Sequence, residues 1–385
     1  MRINNTNSRW GLFLAFICFL TNLTQLPYFV ERGMTQRLAQ ILWVLVIALC
    51  IINRKLKIYR KLLWMLILSA VFAGLIVALS LVTQQNYIGT RIFYSFYLSL
   101  AIFLIGIFLN DSIKLKEFVV IYNSYIFSSY ILAVDIWMRF LRGSDLTTTV
   151  YAYGSKNSAS LILFTGLVLM IFEWNLQGRV WSAIRWLMCI SMIYILICLR
   201  SRAVFVCMFL LFTFILIQQR ATLKRFKRVL VISVLVTLYL VFTNKNISDV
   251  VINGILFAGR DTGNLNDLTS SRLSEWISFP KLFSQYFWIG AGRYKIESFP
   301  LSVLVQYGFL GGIFLICCAL WPVVFSVRQI RYSEKWITLL LISASYFVNG
   351  LFEEVAPFGP GVKCYFLWLL FGLMYKKWYG TAWEN

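Results

Sequence analysis

There is no histidine in this sequence. That removes the side chain most often used as a general base near neutral pH and the commonest nitrogen ligand of transition metals. Imidazole-based triads and histidine metal centres are therefore excluded. Acidic residues are scarce as well, 15 against 36 basic ones, and no carboxylate cluster is evident that would cage a cation. Charged residues of either sign make up only 13% of the chain, roughly half the share of a soluble domain. A water-facing surface cannot be built from so little charge.

What is present is apolar: 60% of residues are hydrophobic and 17% are aromatic. A bilayer core takes about 20 apolar residues per helical crossing, and stretches of that length recur from Trp10 almost to the C-terminus. This predicts an all-α polytopic membrane protein. The spans are expected at 10–30, 38–52, 62–83, 92–110, 118–138, 158–174, 186–199, 203–219, 229–243, 300–326, 336–352 and 364–375. The first run follows Arg2 and Arg9 but holds Asn22 and Pro27 and lacks a small-residue cleavage site, so it reads as a retained span rather than a signal peptide. All eight cysteines fall within or beside apolar runs, with no metal-site spacing, and read as packing residues at lipid depth. The net charge of +21 would suit nucleic acid, but the Lys and Arg sit in short clusters between apolar runs. No basic domain or arm exists, and no nucleic-acid partner is expected.

Twelve spans make the connections alternate between two sides, and the sides differ in charge. The clusters 53-NRKLKIYRK-61, 220-RATLKRFKR-228 and 327-VRQIRYSEK-335 fall together with both termini; that side carries 21 of the 36 basic residues, against 15 on longer connections opposite. Cytoplasmic loops collect Lys and Arg, so both termini are assigned to the cytoplasm. The organisation is then nine spans in 1–243, one large outer loop in 244–299, and three spans with a cytoplasmic tail in 300–385.

This orientation leaves Arg200, Arg202, Arg260, Arg272 and Arg293 on the outer side. Each alone reads as an interfacial residue snorkelling to headgroups. Five on two connections read as a polar cavity on a substrate path. Guanidinium groups make bidentate, charge-assisted contacts to phosphate oxygens, so a diphosphate is the ligand they best explain. The glycines of 290-GAGR-293 would let backbone approach a phosphate, although Gly-x-Gly is also a plain turn. The large loop interleaves Trp276, Phe279, Phe283, Tyr286, Phe287 and Trp288 with polar residues, and 272–287 is expected to form amphipathic helix on the membrane surface. Those rings suit either sugar stacking or an interfacial aromatic belt.

Together these features resemble the O-antigen polymerase and O-antigen ligase superfamily. The matching pieces are Ser201-Arg202 before an apolar run, Arg272 with Trp276, Gly290 and Gly292, and Gly308 with Gly311, in that order and all assigned to the outer side. The stretch 154-GSKNSAS-160 resembles the family's Asn-containing segment, with Asn157 its Asn. Ligases of this group carry His-Asn shortly before the Gly-x-x-Gly. Here those positions are Glu297 and Ser298, a departure that favours a polymerase.

The resemblance implies a GT-C-like fold with short surface helices in a large periplasmic loop. It implies a metal-independent glycosyltransferase without cofactor, in the bacterial inner membrane, joining undecaprenyl-diphosphate-linked oligosaccharide repeat units at the periplasmic face. Its partners would be that lipid-linked substrate, membrane lipids and a chain-length regulator protein. Arg202 and Arg272 would stabilise the leaving diphosphate. Arg200, Arg260, Arg293, Asn157, Trp276, Gly290 and Gly292 would bind substrate. Glu297 is the first choice for the base that takes the acceptor proton, with Asp261 and Glu275 as alternatives. Glu353, Glu354 and Asp135 have no assigned role. The competing activities are an O-antigen ligase and a lipid-linked oligosaccharide flippase. A flippase would be expected to show two related halves, and no internal repeat is found.

Overall fold

The computed structural model describes residues 10–53, 60–142, 156–217, 231, 232, 235, 239, 242, 243, 272–333, 335–359 and 363–381. The expected span 229–243 is covered by six of these, and residues 244–271, with Arg260 and Asp261, lie outside the described residues. Every regular element among the described residues is helical: α1 (Trp10–Leu23), α2 (Pro27–Glu31), α3 (Thr35–Ile52), α4 (Arg60–Thr83), α5 (Arg91–Leu109), α6 (Leu115–Leu141), α7 (Lys156–Phe172), α8 (Arg179–Cys198), α9 (Arg202–Ile217), α10 (Arg272–Gln285), α11 (Phe299–Ile330), α12 (Trp336–Gly350) and α13 (Tyr365–Thr381). Thr35–Ile52, Leu62–Thr83, Arg91–Ser112, Lys116–Leu141, Arg179–Cys198 and Phe299–Ile330 are long and apolar enough to cross a membrane.

Among the described residues, α7 and the first part of α13 are buried on all faces. In α7, Leu161, Ile162, Leu163, Leu167, Val168, Leu169 and Met170 are fully buried; the helix is ringed by α6, α8, α9 and α12. A helix that is apolar all round belongs inside a bundle. The run from Tyr365 to Leu373 in α13 is buried in the same way against α5 and α12. There Gly106 and Gly372 bring two backbones together, so that a Cβ on Gly106 would meet Leu373 N at 2.8 Å. Small residues permit such close approach between helices in membranes. The peripheral α4, by contrast, turns Trp64, Leu68, Val71, Leu75, Leu81 and Val82 outward. An apolar stripe of that extent is what a bilayer covers and water does not.

Among the described residues, two expected spans are interrupted. The run 10–30 breaks after Leu23, and α2 restarts with Pro27 in its first turn. Proline lacks the N–H that a continuous helix needs and forces the residue before it out of helical geometry; Leu26 accordingly has φ −61° and ψ 146°. The second break is inside α11, where Gly308 adopts φ 68° and ψ −174°.

Hydrogen bonds gather alternate connections of the chain. The 84–90 turn reaches the 286–292 segment through Tyr87, whose hydroxyl donates to Gly290 O at 2.9 Å. Asn157, Ser201 and Glu353 are linked side chain to side chain, and Gln306 reaches Glu354.

Candidate functional site

The Leu-Arg-Ser-Arg stretch is a tight reversal between α8 and α9. Arg200 has φ 49°, a left-handed conformation that costs a non-glycine residue about 1–2 kcal/mol and ends α8. Ser201 is fully buried. Its carbonyl starts α9 by accepting Phe205 N–H at 3.0 Å, while its hydroxyl donates to Asn157 Oδ1 at 2.9 Å. Arg202 is the first residue of α9, and both arginines are half-buried.

Asn157 carries this link onward. Its Nδ2 donates to Glu353 Oε1 at 2.7 Å, and Lys363 Nζ lies 2.8 Å from Glu353 Oε2. A buried ammonium is tolerated only when paired, and the Lys363 side chain is 5% exposed. Burial pushes the Glu353 carboxyl up. The Lys363 charge, hydrogen bonds from Lys363 and Asn157, and the charge of Arg272 outweigh it, so Glu353 is held below the usual carboxylate range.

Arg272 and Glu275 stand one turn apart at the start of α10, on one face, and both reach the segment before α11. Arg272 Nη2 lies 3.1 Å from Glu297 Oε2, and Glu275 Oε2 accepts the Glu297 N–H at 2.7 Å. Lys295 Nζ takes the other Glu297 oxygen at 3.2 Å. The Arg272 side chain is 16% exposed, yet its buried Nε has no hydrogen-bond partner among the described residues. Leaving a buried donor of a charged group unsatisfied is costly. Among the described residues no three of His, Cys, Asp and Glu gather as metal ligands.

The kink in α11 explains the Gly-x-Gly. Where the helix breaks at Gly308, the Val305 and Gln306 carbonyls lose their usual partners four residues on. Ala291 N–H donates to Val305 O at 2.7 Å and Gly292 N–H to Gln306 O at 3.1 Å; in return Phe309 N–H donates to Phe287 O at 2.7 Å. Gly290, at φ 82°, sits so close that a Cβ would collide with Gln306 O. The backbone approach these glycines allow is thus to another backbone, and the Gly290 N–H is itself taken by Tyr286 O at 2.9 Å. Gln306 is buried and its Nε2 reaches Tyr294 O at 2.6 Å, Ser302 Oγ at 2.8 Å and Glu354 Oε1 at 3.1 Å.

Asn157, joined to Ser201, and Lys363 therefore meet at Glu353, whose carboxyl also feels the charge of the Glu297-paired Arg272, and Gln306 joins Glu354 to the backbone clamp of Ala291 and Gly292. Arg293 and Trp276 are exposed; Phe279 stacks on Phe283 within α10, and just beyond that helix Phe287 stacks on Phe309 of α11. Lys363, Gln306 and the pairing role of Glu353 were not singled out from sequence. A signal was available in the lone Lys363 opening the last apolar run, nine and ten residues after two adjacent glutamates.

What the fold and these residues define is an all-α protein with apolar helices of membrane-crossing length and a polar, cation-rich site where its connections meet. No protein-family model matches the chain, and no curated protein matches it.

Proposed function

We propose that this protein is a membrane-embedded glycosyltransferase that polymerises undecaprenyl-diphosphate-linked oligosaccharide repeat units, an O-antigen polymerase. The observation that carries the reading is Arg272: a shielded guanidinium oriented by Glu297, with a buried Nε lacking an acceptor among the described residues. A diphosphate oxygen is the acceptor that suits it. Arg202 joins from the turn that Asn157 anchors. Both would stabilise the negative charge that gathers on the departing lipid diphosphate while the anomeric carbon passes through an oxocarbenium-like state. Arg200, Arg293 and Arg260 would serve the acceptor's diphosphate, and Trp276 a sugar face.

The twelve-span arrangement, with both termini cytoplasmic and the site on the periplasmic face of the bacterial inner membrane, belongs to the same proposal. Its support is the charge difference between alternate connections and the links among the 84–90, 156–157, 200–202, 272–298 and 351–359 segments and Lys363, all assigned to one side. A chain-length regulator is the protein partner proposed.

The test is a gel of surface glycan from the source cells with this gene deleted, beside the complemented strain. A polymerase predicts core carrying one repeat unit with the ladder gone. Core carrying none would replace the reading with a ligase or flippase, and an unchanged ladder would exclude this glycan.

A further inference from the structure

Glu353 and Glu354 are sequence neighbours in opposite surroundings. Both oxygens of Glu353 are engaged, by Asn157 and by Lys363. Glu354 has only the amide of Gln306, at 3.1 Å on Oε1, and forms no ion pair among the described residues. Its Oε2 makes no hydrogen bond among them. The charged groups that face it are Arg91 at the start of α5 and Lys295 and Glu297 from the segment before α11, with Glu353 beside it and Lys363 behind Glu353. Burial pushes the Glu354 carboxyl up; the Gln306 hydrogen bond and the charges of Arg91 and Lys295 pull against it, and Glu297 adds to the rise. Two carboxylates driven apart by their environments are the pattern of divided acid–base roles.

Glu297 is poorly placed to take a proton, because Arg272 and Lys295 occupy both of its oxygens. Glu275 is committed to the Glu297 N–H. We propose that Glu354 is the group that accepts the proton of the attacking sugar hydroxyl, while Glu353 fixes the connection that carries it. This inference rests on the glycosyltransferase reading above. In the step, the acceptor O–H bond breaks and its proton passes to Glu354 Oε2. The hydroxyl oxygen bonds to the anomeric carbon as the bond from that carbon to the diphosphate oxygen breaks, and that electron pair leaves with the lipid diphosphate. Protonated Glu354 then releases its proton to water.

The buried Gln306 Oε1, which has no partner among the described residues, lies on the side chain that holds Glu354.

The experiment uses full-length protein purified into nanodiscs and membranes of the deletion strain, which would hold the source's own lipid-linked repeat units as the probe. Ladder formation is timed between about pH 5 and 9 for wild type, Glu354→Gln and Glu354→Asp. The inference expects Glu354→Gln to lose about 100-fold or more in rate and its acid limb, and Glu354→Asp to recover part of the rate with that limb displaced. A Glu354→Gln rate within about threefold of wild type would overturn it. If Glu354→Gln does not accumulate, Glu354→Asp decides, and an acid limb that does not move overturns the inference. Should wild type itself make no ladder, the polymerase reading falls and takes this inference with it. A wild-type ladder matched by Glu354→Gln removes the inference alone.

Discussion

Asn157 and Glu353 lie 196 positions apart in sequence and are joined by a 2.7 Å hydrogen bond. That bond closes a line running from Ser201 through Asn157 and Glu353 to Lys363. It ties together the α8–α9 turn, the start of α7 and the α12–α13 connection. The two arginines of the turn are thereby held against a fixed frame, and the frame has measurable properties of its own.

The first concerns the buried pair. Glu353→Gln leaves Lys363 nearly buried with its charge uncompensated, a loss of about 3–5 kcal/mol. The expected result is a clear fall in thermal stability of the detergent-solubilised protein. Adding Lys363→Met should restore most of it, because no unpaired charge then stays buried. An unchanged melt for Glu353→Gln alone would show that the pair does not hold the connection.

The adjacent glutamates should also give opposite pH dependences. Glu353, held below the usual carboxylate range, contributes stability that is present above that range and lost as pH falls through its lowered value. Glu354, pushed up, contributes stability that is present below the usual range and lost as pH rises through its raised value. Melting temperature against pH should lose its acid-side slope in Glu353→Gln. Glu354→Gln should instead lose the decline above the usual carboxylate range.

The clamp on the broken helix makes a third prediction. Gly290→Ala places a Cβ into Gln306 O at a positive φ, and Gly308→Ala places one into Trp288 O. Both should lower the amount of folded protein severely. Gly33→Ala has a similar φ of 62° but nothing within 4 Å of the added Cβ, so it should cost only the backbone strain, about 1 kcal/mol. Comparing the three by yield and melting separates collision from strain. Equal behaviour would deny the clamp.

Helix positions were legible because apolar runs of about 20 residues carry their own signal; α3, α5, α7, α9 and α12 begin and end within a few residues of the expected spans. The break before α2 was written in Pro27 but masked by apolar residues on both sides. Gly308 was visible as part of a motif, whereas the unwinding it causes was not, since no local pattern tells that Ala291 and Gly292 will supply the missing donors. For the same reason Gly290 and Gly292 stayed open between a phosphate approach and a plain turn. The site itself was half legible. Arg202, Arg272, Asn157 and Glu297 stood out by type and order, but Lys363 and Gln306 gain meaning only from partners 10 and 48 residues away, a relation that periodicity does not carry.

The central claim is that Arg272 and Arg202 hold a lipid diphosphate. Its most direct measurement is binding of undecaprenyl diphosphate to the nanodisc-embedded protein, with undecaprenyl monophosphate as comparison, for wild type, Arg272→Ala and Arg202→Ala. Binding of the diphosphate in preference to the monophosphate, weakened about tenfold or more by each substitution in protein that melts normally, is the predicted result. Equal affinity in all three proteins would contradict it.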